Sequence, residues 1–309
     1  MRKTFDKAAI FGRMRRYRMK GRLEMDASLA NETSFAIGGP ADILFFPETV
    51  AEAVRAVKLC RRENIPLTVL GNGTNVLVRD GGVRGIVLKL KGIDGLRRER
   101  SHIFAGAGTD LAAACDYALA GSLSGVEFAC GIPGTVGGAV CMNAGAYGAE
   151  MKDIVYRSVV LDFDGNIGLI DGFNHGFAYR KSVFQENGWV LLETEFALRT
   201  STVPEITEKM EDFKRRRDLS QPMDKPSAGS VFRRPETEGV FVGPMVEACG
   251  LKGASEGGAQ ISQKHAGFII NSGGATASDV LALIERVKAE VKNRFDVELA
   301  TEIRIIGEN

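Results

Sequence analysis

The chain has 309 residues, 40 of them Lys or Arg and 39 Asp or Glu, for a formal net charge of +1. So even a balance supplies no long-range field to gather nucleic acid or an anionic membrane, and 44% hydrophobic with 26% charged residues is the make-up of a folded protein with a core in two or three parts. Five cysteines without a CxxC pair argue against a disulfide framework or structural zinc, and three scattered histidines without HExxH give metal catalysis little support.

The first 22 residues carry nine Lys or Arg and one acid, Asp6. The apolar run Ala8–Phe11 is too short for a signal peptide, so this stretch reads as a basic amphipathic tail or helix, an extension over 1–27 with no part in catalysis. No apolar run approaches the roughly twenty residues that a membrane helix needs; a cytoplasmic protein is expected, with neither membrane nor nucleic acid as partner. Residues 50–64 place Val50, Ala53, Val54, Val57 and Cys60 on one helical face, stopped by Pro66. Leu67–Leu70, Val76–Val78 and Ile86–Leu90 read as strands. His102–Ala105 leads through Gly106-Ala-Gly108 into a helical run, Leu111 to Leu119. Residues 154–163 and 189–198 read as strands, with a tight turn at Asp164-Gly165. A charged helix over Pro204–Leu219 opens the last third, and Phe268–Ile270 reads as a strand. Thr276 and Asp279 form a capping box for a long helix with Val280, Leu283, Ile284, Val287 and Val291 on one face and a Glu290/Arg294 i,i+4 pair. Residues 297–306 alternate with period two, which predicts a closing strand with Val297, Leu299, Thr301, Ile303 and Ile305 on one side and Glu298, Ala300, Glu302, Arg304 and Ile306 on the other.

Glycine accounts for 37 residues, concentrated in loops. Gly71-Asn-Gly-Thr-Asn75 and Gly131-Ile-Pro-Gly-Thr-Val-Gly-Gly138 lie about sixty residues apart, and Gly145 and Gly148 follow the second. Residues without Cβ let backbone approach a ligand closely, and successive N–H groups in such turns form an anion nest. Two nests fit a long ligand with a central diphosphate and flat rings at its ends, as in flavin adenine dinucleotide. A Rossmann fingerprint fails by one position in Gly71-Asn-Gly73, with Val76 where the third glycine should be, and again in Gly106-Ala-Gly108, with Leu111 there. The strand–turn–helix context of 106–119 keeps a Rossmann-like site there as an alternative.

Together, Thr33-Ser-Phe-Ala-Ile-Gly-Gly39, Gly71–Val78, Gly131–Ala139 and Asn143-Ala-Gly-Ala-Tyr-Gly148 resemble the UDP-N-acetylenolpyruvoylglucosamine reductase family, which makes UDP-N-acetylmuramate for peptidoglycan; the likeness runs from about Asn31 to Glu308. It implies an α+β flavoenzyme: a two-subdomain FAD-binding domain of the vanillyl-alcohol-oxidase/PCMH type over 28–200, split near 92, and a C-terminal α+β substrate-binding domain over 201–309. FAD would be held non-covalently, although Cys130 abuts the second loop. The cofactor residues implied are Gly71, Asn72, Gly73, Thr74, Asn75 and Val76, then Gly131, Ile132, Pro133, Gly134, Thr135, Gly137, Gly138 and Ala139, and finally Asn143, Ala144, Gly145 and Tyr147.

Reducing an enolpyruvyl ether needs a hydride donor at one alkene carbon, an acid at the other, and a polarised carboxylate. By the resemblance Ser230 gives the proton, Arg180 holds the carboxylate, and Glu302 faces it, with Ala300-Thr301 where the family usually has Glu-Pro. NADPH is the implied reductant and UDP-N-acetylglucosamine enolpyruvate the substrate. Tyr179, Lys225, Arg233, Arg234, Lys264 and His265 are candidate substrate contacts, and at least one of Arg215, Arg216, Arg217, Arg233 and Arg234 is expected on the diphosphate. The short stretch between 180 and 200 has no room for the tyrosine-bearing loop of one subgroup, which points to the type II subgroup. A monomer is favoured, and no metal is expected. An FAD oxidase on the same cofactor domain and a non-catalytic flavin-binding module are the rival readings.

Overall fold

The structure, a computed structural model, describes residues 6–17, 19–235 and 239–309; Arg2, Lys3 and Arg18 of the basic stretch lie outside these. The chain forms two compact units, and both are discontinuous in sequence. Unit 1 is Met1–Met25, Asp42–Asn72 and Gly85–Arg217; unit 2 is Asp26–Ala41, Gly73–Arg84 and Asp218–Asn309. These units cut across the expected divisions at 27 and 200.

In unit 1 the basic stretch forms helix α1, Lys7–Arg16, capped by the Asp6 side chain, which accepts from Ala9 N at 3.0 Å. Ile10 and Met14, four residues apart, point the same way and are buried in the unit's core together with Met19. The stretch is thus an integral part of unit 1 and no appendage. Helix α2, Val50–Glu63, starts at Thr49 and ends on Asn64, whose left-handed φ of 54° closes the last turn before Pro66 is reached. It buries Ala53, Ala56, Val57, Leu59 and Cys60, while Val50 and Val54 are only partly covered. Glu52 is buried on the same helix; its carboxylate accepts from the backbone of Lys20 and of Glu48.

Beside these helices runs a four-stranded sheet in the spatial order Arg22–Ser28, Pro40–Phe46, Val83–Lys89 and Leu67–Leu70, the last two parallel. A second sheet is antiparallel throughout, in the order Ile167–Asp171, Val155–Leu161, Val190–Ala197, His102–Gly106 and Leu96–Glu99. Helices α3, Leu111–Ala120, α4, Val136–Cys141, and α5, Val183–Asn187, follow the strands, and α4 packs on Val190–Ala197. One apolar cluster runs through the unit from Ile10 to Met210, so the two halves expected on either side of residue 92 share a core. Helix α6, Val203–Ser220, buries Ile206 and Met210 in that cluster, which is why unit 1 extends to Arg217.

Unit 2 is built on an antiparallel sheet in the order Ser227–Ser230, Phe268–Asn271, Ala259–Ile261 and Ser255–Glu256. Helix α7, Val242–Ala248, and helix α8, Ala277–Phe295, pack with it. The expected capping box opens α8, and Val280, Leu283, Ile284, Val287 and Val291 are all buried. A second cap comes from far away in sequence: the Asp80 carboxylate accepts from Ala277 N at 2.8 Å and Ser278 N at 3.0 Å. Arg294 turns its guanidinium to the Ala248 carbonyl at the end of α7. The closing strand is shorter than the alternation predicts. Only Arg304–Ile306 is a strand, paired in parallel with Val76–Val78; Leu299 and Ile303 are buried without a ladder, and Thr301 makes a single bridge to Phe232.

Candidate active site

In unit 1 the two glycine loops meet. A Cβ on Gly71 would stand 2.5 Å from Thr135 Oγ1, so only glycine allows this approach. Thr135 caps α4, accepting from Gly138 N at 3.2 Å. The second loop rests on the 106–111 turn: Val136 N donates to Thr109 O, Gly137 N to Ala107 O and Leu111 N to Gly134 O. A Cβ on Gly137 would fall 2.9 Å from Ala107. These bonds, with Asp110 accepting from Ala112 N, occupy the start of α3 with protein groups, which removes the Rossmann-like alternative at 106–119.

Ile132 and Ala144 lean on the core, and Ala139 is buried in it, so the wall these loops offer is mainly backbone. A backbone wall kept clear of side chains is what a diphosphate and a flat ring require, and these residues fit FAD. Cys130 at the loop's edge is buried, its thiol donating to Met210 O at 3.5 Å and pushed up in pKa by burial. A thiol held in this way is a poor candidate for covalent attachment of a flavin.

Two expected cofactor side chains are committed elsewhere. Tyr147, at a left-handed φ of 54°, stacks on Phe213 of α6 at 4.2 Å and gives its hydroxyl proton to Phe213 O at 2.8 Å. Asn143 is completely buried; its Nδ2 donates to Glu150 Oε2 and to Ala178 O, both at 3.0 Å, and its oxygen accepts from Lys152 N at 2.9 Å. An amide has two N–H donors and one oxygen, so neither of these donors remains for a flavin.

Arg180 stands at the tip of a turn in unit 1. Ala178 and Lys181 bond each other in both directions at 3.1 Å, and Arg180 between them has φ 55°, a left-handed conformation uncommon for a side chain of its size. Its Nη2 donates to Gly145 O at 3.3 Å, and Tyr179 lies under the guanidinium at 5.0 Å. Arg217, near the end of α6, lies against Gly131: a Cβ there would be 3.1 Å from its Cδ. The neighbouring Arg215 and Arg216 instead pair with Asp212, and they hold its carboxyl below the usual range.

Unit 2 brings Ser230 and Glu302 onto adjacent backbone. Glu302 N donates to Val231 O at 2.7 Å, and Arg233 N donates to Ala300 O at 2.9 Å. Glu302 O accepts from Asn75 Nδ2 at 3.3 Å, while Arg304 N donates to Asn75 O. Gly73, Thr74, Asn75 and Val76 of the first loop therefore run directly into the strand beside Glu302. Ser230 ends its strand opposite Phe268, past a bulge, with its hydroxyl 3.4 Å from Phe232 O. A Cβ on Gly267 would sit 3.6 Å from Ser230 Oγ and 2.9 Å from the His265 ring, so this glycine keeps space between the two side chains. His265 Nδ1 accepts from Gly267 N at 3.0 Å, which leaves the ring N–H on Nε2, and burial lowers its pKa. Lys264 gives its ammonium to Asp218 O, Arg234 stacks on Phe241 at 4.2 Å, and Lys225 is exposed.

Residues that the sequence reading passed over are Ser182 and Gln185, which fasten the Arg180 turn, and Asp80, which caps α8. Each acts on backbone distant in the chain or in a turn without a pattern of its own, so no motif announces it. Among the described residues no cluster of His, Cys, Asp or Glu could hold a metal ion, and no helix is long and apolar enough to cross a membrane.

Residues 221–306 match the UDP-N-acetylenolpyruvoylglucosamine reductase C-terminal domain, and residues 41–168 match an FAD binding domain. A UDP-N-acetylenolpyruvoylglucosamine reductase from Clostridium botulinum (strain 657 / Type Ba4) is 47% identical over 284 residues, 92% of each chain. One from Caldanaerobacter subterraneus is 47% identical over 289 residues, 94% of this chain and 95% of the relative. The crystal structure of UDP-N-acetylenolpyruvylglucosamine reductase from Thermus caldophilus superposes with a TM-score of 0.80 at 35% identity, covering 93% of this chain and 100% of that one. A glucose dehydrogenase, Phl p 4.0202, has a TM-score of 0.50 at 14% identity over 63% of this chain and 44% of its own, a likeness of fold alone.

Proposed function

The chain belongs to the UDP-N-acetylenolpyruvoylglucosamine reductase family, and from that premise we propose how its residues divide the work. The enzyme is an FAD-dependent oxidoreductase that uses NADPH to reduce the enolpyruvyl ether of UDP-N-acetylglucosamine enolpyruvate to UDP-N-acetylmuramate, in peptidoglycan precursor synthesis. FAD, when bound, would supply the hydride needed at C3 of the enolpyruvyl group. Backbone of the loops at 71–76 and 131–139 would hold it, with no covalent bond.

Ser230 Oγ gives its proton to C2. A hydroxyl is a weak acid, so it acts where the alkoxide it leaves is stabilised and quickly reprotonated. Arg180 grips the substrate carboxylate with two parallel N–H bonds that strengthen as charge collects on the enolate. Glu302 faces the same carboxylate and shares a proton with it. Arg217, beside Gly131, offers its guanidinium to a diphosphate. Lys264 and His265 are placed by Ser262 Oγ, which accepts from both backbone N–H groups; the Nε2–H of His265 is a donor for substrate. Only α5 separates the Arg180 turn from the strand Val190–Ala197, which supports a type II enzyme lacking the tyrosine-bearing loop. The working form is a cytoplasmic monomer.

The observation that supports these roles is the bond from Glu302 N to Val231 O, which joins the backbone beside Ser230 to Glu302. Stopped-flow absorbance tests it. Ser230→Ala is expected to keep bleaching of the flavin by NADPH and to lose recovery of colour on adding the enolpyruvyl sugar nucleotide. Near-normal turnover in this variant would remove Ser230 from the mechanism.

A further inference from the structure

We propose that Asn143 is a positioning residue for Arg180: its buried amide pins the turn that presents the guanidinium, and this, rather than contact with the cofactor, is the work of its side chain. The proposal rests on the reading of Arg180 as the carboxylate holder.

Arg180 has φ 55°. A left-handed conformation at a long side chain is strained and persists only where the surroundings over-determine it. The surroundings here are the end of α4. On one side of the tip, Asn143 Nδ2 donates to Ala178 O at 3.0 Å. On the other, Ser182 Oγ donates to Cys141 O at 2.6 Å. The carbonyl of Arg180 itself accepts from Gln185 Nε2 at 3.3 Å. Both feet of the turn are thus tied to the chain at and just past the end of α4, one to Cys141 and one to Asn143.

The position demands asparagine for three separate reasons. Its own φ is 41°, a region that asparagine enters more readily than other side chains. It needs two donors, for Glu150 and for Ala178 O, and one acceptor, for Lys152 N. Aspartate has no donor and would set a second carboxylate against Glu150; alanine supplies neither donor nor acceptor. Because a two-bond grip on a carboxylate depends on the plane of the guanidinium, a shift of about 1 Å in the turn can cost on the order of 10²-fold in rate.

The experiment uses the full-length, FAD-loaded enzyme in four forms: wild type, Asn143→Ala, Arg180→Lys and the double variant. Asn143→Ala is expected to retain FAD, to bleach with NADPH at near the wild-type rate, and to slow recovery of colour with the enolpyruvyl substrate by about 10- to 100-fold. The double variant is expected to be no slower than Arg180→Lys, because residues acting through one group are not additive. Hydrogen exchange supplies a readout independent of turnover: the Lys181 amide, which donates to Ala178 O, is expected to exchange faster in Asn143→Ala. Loss of FAD, an equal slowing of both half-reactions, multiplicative losses in the double variant, or unchanged Lys181 exchange would each overturn the proposal. If Asn143→Ala does not fold, Gln185→Ala replaces it; that variant must slow the same half-reaction and be silent in the Arg180→Lys background, and an equal loss in both backgrounds overturns the proposal. Should Arg180→Lys alone leave colour recovery at the wild-type rate, the assignment of Arg180 fails and the proposal falls with it, a result distinct from all the others.

Discussion

At the scale of single residues the proposed chemistry rests on groups whose freedom has been removed. Arg180 is held by its turn, and a lysine there would keep the charge while losing the planar fork. Arg180→Lys is therefore expected to lower kcat by about 10²–10³ while changing KM much less; steady-state kinetics reporting a loss confined to KM would place Arg180 in ground-state binding only. A pH effect belongs to this scale too. His175 is completely buried, with Nε2 3.0 Å from Ser158 Oγ and Nδ1 3.1 Å from Gly172 O, and burial lowers its pKa from the ordinary 6.5. The unfolded chain binds this proton more readily than the folded one. The stability that His175 contributes is thus full above about pH 6.5 and is lost as pH falls below that toward the lower folded value. Urea midpoints between pH 8 and pH 5 are expected to fall more steeply in wild type than in His175→Asn, and parallel curves would show that His175 is not the group responsible. His265 shifts in the same direction, so only the difference between the two proteins is diagnostic.

Between one element and the next, legibility followed how local the determining contacts are. The helices α2, α3, α6 and α8 carry their signals within themselves: apolar spacing, Thr276 with Asp279, and Pro204 in the first turn. The strands Arg22–Ser28 and Pro40–Phe46 carry no alternating signal, the first because none of its residues is buried and the second because it is buried almost throughout. Residues 297–303 alternate as a strand should and yet are not one, since their hydrogen-bond partners are single groups on Val231, Arg233 and Asn75 and no continuous ladder. Helix α1 reverses an expectation of more consequence. Ile10 and Met14 are buried in the unit 1 core, so Met14→Ala is expected to cost about 2–5 kcal/mol and deletion through Lys20 to lower the urea midpoint further. A truncated protein with an unchanged midpoint would show that α1 is idle after all.

Taken whole, the molecule does not divide where the sequence changes character. Unit 2 draws Phe35, Ile37 and Leu77 into the same apolar cluster as Val280, Leu283 and Ile303, and its longest helix is capped by Asp80. A fragment beginning at Asp218 lacks all four of these groups. Expressed alone, it is expected to bind hydrophobic dyes and to give no cooperative thermal transition; a sharp transition with native-like near-ultraviolet dichroism would show that the last third folds by itself.

What the sequence alone determined lies within a few residues of its own signal. The glycine loops, the capping box of α8, the apolar faces of the helices and the motifs around Ser230 and Arg180 all express a local requirement, whether room for backbone, a satisfied N–H or one buried side. What only the tertiary structure decided concerns partners: that Asn143 spends its amide on the Arg180 turn, that Arg217 rather than Arg215 or Arg216 lies against Gly131, that Asn75 ties to Glu302, and that Ile10 and Met14 of α1 join the core. A hydrogen-bond donor looks the same in sequence whatever it will meet, and its partner is set by chain closure across tens or hundreds of residues, which no short pattern encodes.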